Sequence, residues 1–361
     1  MHSLYLHIPF CAARCPFCDF AISTEAVSDG FASALKTEVR RWGEKLGRPR
    51  LDTVHLGGGT PSLPPAAWTG GILEGVRAHF ELAPDAEIAL ECNPGDADAG
   101  KMAAWRGMGV NRLSIGAQSL DDRELGWLGR GHSVAQTLET VRLAREAGFG
   151  NLSLDLMYGV PGQTVEGWIR TLEQALALAP EHLSVYGLTL TGGKKLAGPP
   201  LPSENDQAAM AAVAMDRLEA AGIVQYEISN FARPGFESRH NLAYWTLQPY
   251  LGLGPSAHSY LSPRRFANVA STGEYISRVL AGVEATGMEE TLTAEQTALE
   301  RLFLGLRLPQ GVEEGSVSGP ELDVLLAEGL LERRGGRLAL TRRGRVLGDA
   351  VTARLMGKSL C

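Results

Sequence analysis

Short hydrophobic runs recur along the first two thirds of the chain, with longer amphipathic segments between them. Phe31, Leu35, Val39, Trp42 and Leu46 recur every three or four residues, which predicts a helix with one buried face. Strands are predicted where runs are rich in β-branched and aromatic residues: SLYLHI, DTVHLG, AEIALEC, NRLSIGAQ, NLSLDLMYG, HLSVYGLTL and VQYEIS. Alternation of such strands with helices predicts parallel βαβ units and an α/β fold.

About six strand and helix repeats are predicted before residue 230, which fits a complete or partial (β/α) barrel. An open doubly wound sheet is the alternative, and spacing alone does not distinguish the two. Glycine and proline become frequent at 192–202 and again through 233–263, which indicates loops, the second of them an insertion or small subdomain. We therefore predict a barrel over 1–230, an inserted subdomain over 231–290 and a C-terminal domain over 291–361.

The pattern changes again from about Thr293. A leucine-rich helical segment is followed by two short strands joined at Gly335 and Gly336, and Thr341 is the predicted N-cap of a last helix. Helix, two-stranded wing and helix together predict a winged-helix-like α+β domain. Its basic side chains either contact phosphates or form an ordinary solvated face, which we favour. They are Arg333, Arg334, Arg337, Arg342, Arg343 and Arg345.

The composition is that of an ordinary folded protein. Hydrophobic residues make up 44% and charged residues 21% of the 361 residues, which excludes wholesale disorder and fibrous folds. The formal net charge of −7 argues against a polyanion partner bound over the whole surface, so nucleic acid is not an expected partner. There is no apolar run of the roughly 18 residues that a membrane span needs. The N-terminus lacks the basic region of a signal peptide, and we predict a cytoplasmic location.

Three of the five cysteines lie in one short segment, Cys11-x3-Cys15-x2-Cys18, directly after the first predicted strand. Cysteine sulfur favours iron–sulfur clusters or zinc over hard cations. A structural zinc site normally has four protein ligands, and the fourth would have to be His7 or Cys92. Three cysteines on an iron–sulfur cluster instead leave one iron open to a small molecule. The residues alone favour the cluster and leave zinc and unligated core cysteines as alternatives.

The segment from Tyr5 to Cys11, YLHIPFC, with its CxxxCxxC spacing, resembles the radical S-adenosylmethionine (SAM) superfamily, and specifically its HemN and HemW branch. The resemblance covers nearly the whole chain and implies a partial (β/α)6 TIM-like barrel. In that branch the three cysteines hold a 4Fe-4S cluster, and SAM chelates its open iron. The resemblance therefore implies that Cys11, Cys15 and Cys18 are the metal ligands.

Further candidate residues follow the predicted strand ends, where a (β/α) barrel carries its active site. The run GGGTPS from Gly57 to Ser62 follows the second strand, and glycines let the backbone approach a ligand closely. A tight turn and loop-capping acids are the alternatives. The resemblance implies that Gly58, Gly59 and Thr60 meet the methionyl part of SAM. It also implies that the same ligand is held by Tyr5, Glu91, Gln118, Arg130 and Asp155.

The segment from Arg239 to Trp245 contains the motif HNxxYW. An imidazole can ligate haem iron and aromatic rings can flank a porphyrin. From the residues alone, a core histidine packed beside a Tyr and Trp pair is favoured. The resemblance instead links this motif to haem binding, with His240 as the candidate axial ligand.

Two departures bear on the activity that the resemblance implies. Phe20 stands where coproporphyrinogen III dehydrogenase has a further cysteine, and only ten residues precede Cys11. The resemblance therefore implies a haem chaperone that transfers haem to an acceptor protein and carries a 4Fe-4S cluster and exchangeable SAM. The first alternative is oxygen-independent coproporphyrinogen III dehydrogenase, an activity that we expect to be absent. The second is a radical SAM enzyme that modifies RNA, suggested only by the arginine-rich wing.

Overall fold

Six parallel strands in chain order form the centre of the molecule. The structure is a computed structural model that describes residues 3–357. The strands are β1 (Ser3–Ile8), β2 (Arg50–Gly58), β3 (Glu81–Cys92), β4 (Arg112–Gln118), β5 (Leu152–Tyr158) and β6 (His182–Gly187). The helices that follow them are α1 (Asp29–Lys45), α2 (Ala66–His79), α3 (Ala99–Gly107), α4 (Asp122–Trp127), α5 (Val134–Glu146), α6 (Val165–Ala177) and α7 (Glu204–Ala220). Each strand pairs in parallel with the next along the chain, which confirms the predicted α/β fold and its βαβ units.

Six more strands extend this sheet at both edges to a total of twelve. The added elements are β7 (Val224–Gln225), β8 (Asn230–Ala232), α8 (Arg239–Trp245), β9 (Tyr250–Leu253), β10 (His258–Leu261), β11 (Arg264–Asn268), α9 (Thr272–Leu280) and β12 (Thr286–Thr291). Strand β9 pairs in parallel with β1, and β10 to β12 continue beyond it in antiparallel fashion. Residues 233–263 thus contribute strands to the same sheet as the barrel, and the boundary between 1–230 and 231–290 remains a prediction.

The prediction of one strand over VQYEIS is wrong. Only Val224–Gln225 is extended there, and the chain turns back into the antiparallel β8. The carboxylate of Glu227 holds this turn by accepting a hydrogen bond from Ser229 N at 3.1 Å and another from the Asn230 side chain. This local capping overrides the β propensity of the segment.

The C-terminal residues form a second, smaller core. Its elements are α10 (Ala294–Gly305), β13 (Val312–Glu313), a 3-10 turn (Glu314–Ser316), α11 (Pro320–Ala327), β14 (Leu331–Arg334), β15 (Arg337–Leu340), α12 (Arg342–Val346) and α13 (Gly348–Leu355). Strands β13, β15 and β14 form their own antiparallel sheet. Thr341 caps α12 as predicted, accepting a hydrogen bond from Gly344 N at 3.0 Å. Helix, two-stranded wing and helix follow one another in the predicted order, and both the winged-helix-like domain and its boundary at 291 stay predictions.

Four of the six arginines named above for the C-terminal segment are paired with acidic side chains. The pairs are Arg333 with Glu314, Arg334 with Glu332, Arg337 with Glu313, and Arg342 with Asp216 and Glu219. Exposed pairs of this kind add little stability, but they neutralise the charge that a phosphate would meet. The pairing favours a solvated face over an RNA-binding surface. Among the helices within residues 3–357, none combines the length and the apolar character needed to cross a bilayer.

Helix α1 buries its predicted apolar stripe and, on the same side, one carboxyl group. The stripe residues Phe31, Leu35, Val39 and Trp42 are buried. The carboxylate of Glu38 accepts hydrogen bonds from Gly254 N at 2.9 Å, Asn268 Nδ2 at 2.7 Å and Tyr275 Oη at 2.7 Å. Burial outweighs these donors and raises the pKa of Glu38 to about 7. Glu38 therefore joins α1 to β11 and α9, although burial of its negative charge costs free energy.

We expect Glu38 to make the fold less stable as the pH rises. Its pKa of about 7 in the folded protein lies above the ordinary value of 4.5. The folded state therefore binds the proton more tightly, and this stabilisation is lost as the pH rises through the folded pKa. Relative to Glu38→Gln, the wild type should lose about 3 kcal/mol of unfolding free energy between about pH 4 and pH 8. Urea unfolding of both proteins measures this, and a pH-independent difference would contradict it.

Candidate functional site

The loop that carries three cysteines is closed at its base by backbone hydrogen bonds. Cys11 N donates to Ser23 O at 2.9 Å, and Ser23 N donates to Pro9 O at 2.7 Å. Within the loop, Cys18 N donates to Cys15 O at 3.0 Å. All three thiols are free and partly exposed. The loop thus presents three thiols at the C-terminal end of β1, on the predicted rim of the barrel.

These thiols suit a soft metal centre because sulfur is a soft ligand, although they are not already arranged around a common point. Within residues 3–357, no three His, Cys, Asp or Glu side chains already form a metal-binding group. Burial raises the pKa of the Cys11 thiol, a hydrogen bond from Thr60 lowers it, and nearby Cys18 and Cys15 raise it further. The sulfurs are therefore close enough to interact electrostatically. A bound cation would relieve this repulsion between thiolates.

Neither candidate for a fourth zinc ligand is free. The buried His7 has Nε2 at 2.8 Å from Ala21 O and Nδ1 at 3.1 Å from Tyr5 Oη. Cys92 lies in the hydrophobic core, where burial raises the pKa of its thiol to about 12. These positions favour a centre held by three cysteines over a four-ligand zinc site. The fifth cysteine, Cys361, lies outside the described residues.

The glycine turn after β2 lies directly against the start of the cysteine loop. Gly59 N donates to Ile8 O at 2.8 Å, and a Cβ at Gly59 would lie 2.6 Å from Pro9 O. Gly58 has a φ of +112°, and a Cβ there would lie 2.6 Å from the His7 ring. Only glycine tolerates this combination of backbone conformation and close approach. The turn therefore shapes the site as well as reversing the chain.

Two side chains donate to the cysteine sulfurs. Thr60 Oγ1 donates to Cys11 Sγ at 3.4 Å, and Arg130 Nη1 donates to Cys15 Sγ at 3.4 Å. Asn93 connects them, because its Nδ2 donates to Thr60 Oγ1 at 3.1 Å and its Oδ1 accepts from Arg130 Nη2 at 2.6 Å. Sequence reasoning missed Asn93. Its position just past the end of β3, on the rim, was the available signal.

Glu91, at the end of β3, is held by two donors and keeps an exposed edge. Its Oε2 accepts from Gly58 N at 3.1 Å, and its Oε1 accepts from His55 Nε2 at 3.0 Å. The Glu91 side chain remains 37% exposed. The carboxylate can therefore receive a cation or a hydroxyl group while its orientation stays fixed. His55 was also missed by sequence reasoning, although it alternates with apolar residues along β2.

Asp155 and Gln118 lie on the neighbouring strands β5 and β4. Asp155 accepts from Ser114 Oγ at 3.0 Å. Burial is the main cause that raises the pKa of Asp155 to about 6, and the charge of Glu91 adds to it. Gln118 has a φ of +64°, which is uncommon for a residue other than glycine. A desolvated carboxyl group and a strained backbone are both typical of functional sites.

The loop after β6, which contains the glycine- and proline-rich segment 192–202, contacts the cysteine loop. Lys194 Nζ donates to Cys18 O at 3.0 Å, and Thr191 Oγ1 donates to Asp19 Oδ2 at 2.6 Å. Phe20, the next residue along the chain, is 65% exposed. The outer end of the cysteine loop is therefore fixed by this second loop.

The HNxxYW motif lies on α8, and its histidine is fully engaged. His240 is 2% exposed. Its Nδ1 lies 2.7 Å from Thr53 Oγ1, and its Nε2 lies 2.8 Å from Tyr244 Oη. Burial holds the pKa of His240 well below its ordinary value. The conformation matches the core-histidine alternative and leaves no ring nitrogen free, and haem ligation by His240 remains a prediction.

Most of the candidate residues meet at one rim. Direct hydrogen bonds link Cys11 to Thr60, Cys15 to Arg130, and Gly58 to Glu91. The ring of Tyr5 stacks on that of His55, with centroids 5.9 Å apart, and so borders the same region. Cys18 is on the same loop, and Gln118 ends the strand beside Asp155. The described structure gives His240 no direct contact with the thiols.

Similarity to known proteins extends along almost the entire chain. The radical SAM superfamily matches residues 5–175. The heme chaperone HemW of Mycobacterium tuberculosis is 38% identical over 98% of this chain and 94% of that protein. The heme chaperone HemW of Bacillus subtilis is 37% identical over 99% of this chain and 100% of that protein.

A solved structure has the same fold. Coproporphyrinogen III oxidase (HemN) of Escherichia coli, a radical SAM enzyme, superposes with a TM-score of 0.84 over 97% of this chain and 88% of that chain. Its sequence is 24% identical, so this likeness bears on the fold alone. It confirms the predicted radical SAM barrel over the open doubly wound sheet.

We expect Gly59→Ala to destabilise the protein. The added methyl group would overlap the backbone carbonyl of Pro9, which cannot rotate away. The unfolding free energy should fall by roughly 2 kcal/mol or more. Gly150→Ala is the control, because a Cβ at Gly150 meets nothing within 4 Å. Urea unfolding compares the variants, and equal stability would show that the turn is not tightly packed on the cysteine loop.

Proposed function

Because the chain belongs to the HemW family of the radical SAM superfamily, we propose that it is a haem chaperone, which takes up haem in the cytoplasm and passes it to an acceptor protein. The observation that carries this proposal is the similarity to HemW proteins over almost the whole chain. Phe20, in place of the dehydrogenase cysteine, supports a chaperone over oxidative decarboxylation of coproporphyrinogen III. Pairing of the C-terminal arginines with acidic side chains supports the choice of haem over RNA.

We infer that Cys11, Cys15 and Cys18 hold a 4Fe-4S cluster. When bound, such a cluster supplies a redox centre with one iron open to a small ligand. The chain's own contribution is three free thiols on a loop that is closed at its base. Thr60 and Arg130 already donate hydrogen bonds to two of these sulfurs, and such donors stabilise thiolate charge. Asn93 keeps both donors in place.

We propose that the glycine turn and the neighbouring rim hold SAM beside the cysteines. The backbone of Gly58 and Gly59 would face the methionyl part, and the exposed edge of Glu91 suits a ligand ammonium group or hydroxyl. Arg130 suits a ligand carboxylate, and its Nε is buried with no hydrogen-bond partner among residues 3–357. The other residues assigned to SAM are Tyr5, Thr60, Gln118 and Asp155.

Haem is assigned to the HNxxYW segment, with His240 as the candidate axial ligand. In the described conformation Nε2 is hydrogen-bonded to Tyr244 at 2.8 Å. Ligation at that nitrogen would therefore require this hydrogen bond to break and the side chain to leave its buried position. The proposal thus includes a rearrangement of α8 or of the His240 side chain on haem uptake.

Replacement of the three loop cysteines should abolish the iron–sulfur cluster. After anaerobic reconstitution with iron and sulfide, the variant with Cys11, Cys15 and Cys18 all changed to Ala should lack the visible absorbance of the cluster and should not bind SAM. The matched control is Cys92→Ala, because this thiol is buried in the hydrophobic core. Retained cluster absorbance in the triple variant, or a wild type that contains zinc in place of iron, would overturn the assignment.

Replacement of His240 tests the haem assignment. If its imidazole ligates haem iron, His240→Ala should shift the Soret band and weaken haem binding by at least about tenfold. His258→Ala is the control, since His258 is an exposed histidine on β10. An unchanged Soret spectrum and affinity would exclude His240 as the ligand. Formation of protoporphyrinogen IX from coproporphyrinogen III by the reduced, reconstituted wild type would overturn the chaperone proposal itself.

A further inference from the structure

A column of packed side chains connects α8 with the rim of the barrel. Tyr244 Oη lies 2.8 Å from His240 Nε2. The rings of His240 and His55 stack with centroids 5.0 Å apart and planes 25° apart. His55 Nε2 in turn donates to Glu91 Oε1 at 3.0 Å. We refer to these four residues as the histidine column, and it leads from the HNxxYW motif to a carboxylate assigned above to SAM.

His240 is fixed from several directions. Thr53 Oγ1 lies 2.7 Å from its Nδ1, and its backbone N–H donates to Glu87 Oε1 at 3.0 Å. Burial, and secondarily the neighbouring His55, keep its pKa well below the ordinary value, so the ring is uncharged. His240 therefore presents a rigid, neutral surface to the ring of His55.

The orientation of His55 depends on the rings around it. Its own ring stacks on Tyr5 as well as on His240. Its Nδ1 is buried with no hydrogen-bond partner in the described part of the chain. No hydrogen bond at Nδ1 therefore holds the ring, and packing is what keeps Nε2 directed at Glu91. We assign a proton to Nε2 of His55, because the carboxylate of Glu91 can only accept.

We propose that His240 is a positioning residue for SAM binding, which acts by packing His55 so that His55 orients the carboxylate of Glu91. This inference rests on the proposed assignment of Glu91 to SAM. Loss of the His240 ring would leave space into which His55 turns, and Glu91 would lose one of its two donors. SAM would then bind more weakly, although His240 itself does not contact it.

The test is the dissociation constant of SAM, measured by anaerobic calorimetry on protein loaded with the 4Fe-4S cluster. His55→Ala should weaken SAM binding by about tenfold, because it removes a hydrogen bond to a charged group. His240→Ala should weaken it by about threefold to tenfold. The double variant should bind SAM about as well as His55→Ala alone, since His240 acts through His55.

A conservative variant separates this role from haem ligation. His240→Phe keeps a flat ring against His55 but has no nitrogen for iron, so it should retain most of the SAM affinity while His240→Ala does not. If His240→Ala does not remain folded, His240→Phe and Thr53→Val carry the test, and Thr53→Val should weaken SAM binding because it frees Nδ1. The control is His258→Ala, which should bind SAM like the wild type. Cluster absorbance should be equal in every variant.

Three results would overturn the proposal. Unchanged SAM affinity in His240→Ala and His55→Ala would show that the column does not position Glu91. Additive losses in the double variant would show that His240 acts by another route. A cluster-loaded wild type that binds no SAM would refute the assignment of Glu91 and, with it, this inference, whereas the first two results leave that assignment intact.

Discussion

The missing side chain at Gly59 allows two loops to occupy the same edge of the sheet. With the glycine backbone against Pro9, the turn after β2 lies in contact with the cysteine loop. Thr60 then reaches Cys11, and the Gly58 amide reaches Glu91. A larger residue would separate these groups, because the obstacle is the backbone of the first loop. The arrangement of thiols, donors and carboxylate thus depends on one backbone-to-backbone contact.

One face of strand β5 carries polar side chains, and the other carries leucines. Along β5, Ser153 and Asp155 alternate with leucines that belong to the hydrophobic core. These polar groups find partners inside the protein: Ser153 Oγ lies 2.8 Å from one nitrogen of His182, and Tyr226 Oη lies 2.8 Å from the other. The apolar face packs on the helices and stabilises the fold. Burial of the polar face costs free energy because its groups lose their hydration. The same desolvation raises the pKa of Asp155.

The strands could be predicted because each has a local hydrophobic pattern in the sequence. The cysteine loop and the rim could be predicted because their residues directly follow predicted strand ends. Asn93 and His55 could not be found in this way, since their roles come from what lies opposite them on other strands. The prediction of a single strand over VQYEIS was wrong because the side chain of Glu227 caps a turn that reverses the chain. β propensity does not take such side-chain hydrogen bonds into account. His240 was recognised by its motif. The partners of its two nitrogens could not be predicted, because Thr53 lies on β2 and Tyr244 lies one turn further along α8.

The position of His240 has a consequence for how two ligands would communicate. Iron ligation at Nε2, which is hydrogen-bonded to Tyr244, would require the His240 ring to leave its buried position against His55, so one imidazole cannot bind iron and support its neighbour at the same time. Haem bound at this nitrogen and SAM bound at Glu91 would then be antagonists, and each would lower the affinity for the other by the same factor. Uptake of the porphyrin would therefore promote release of the cofactor, and binding of the cofactor would promote release of the porphyrin.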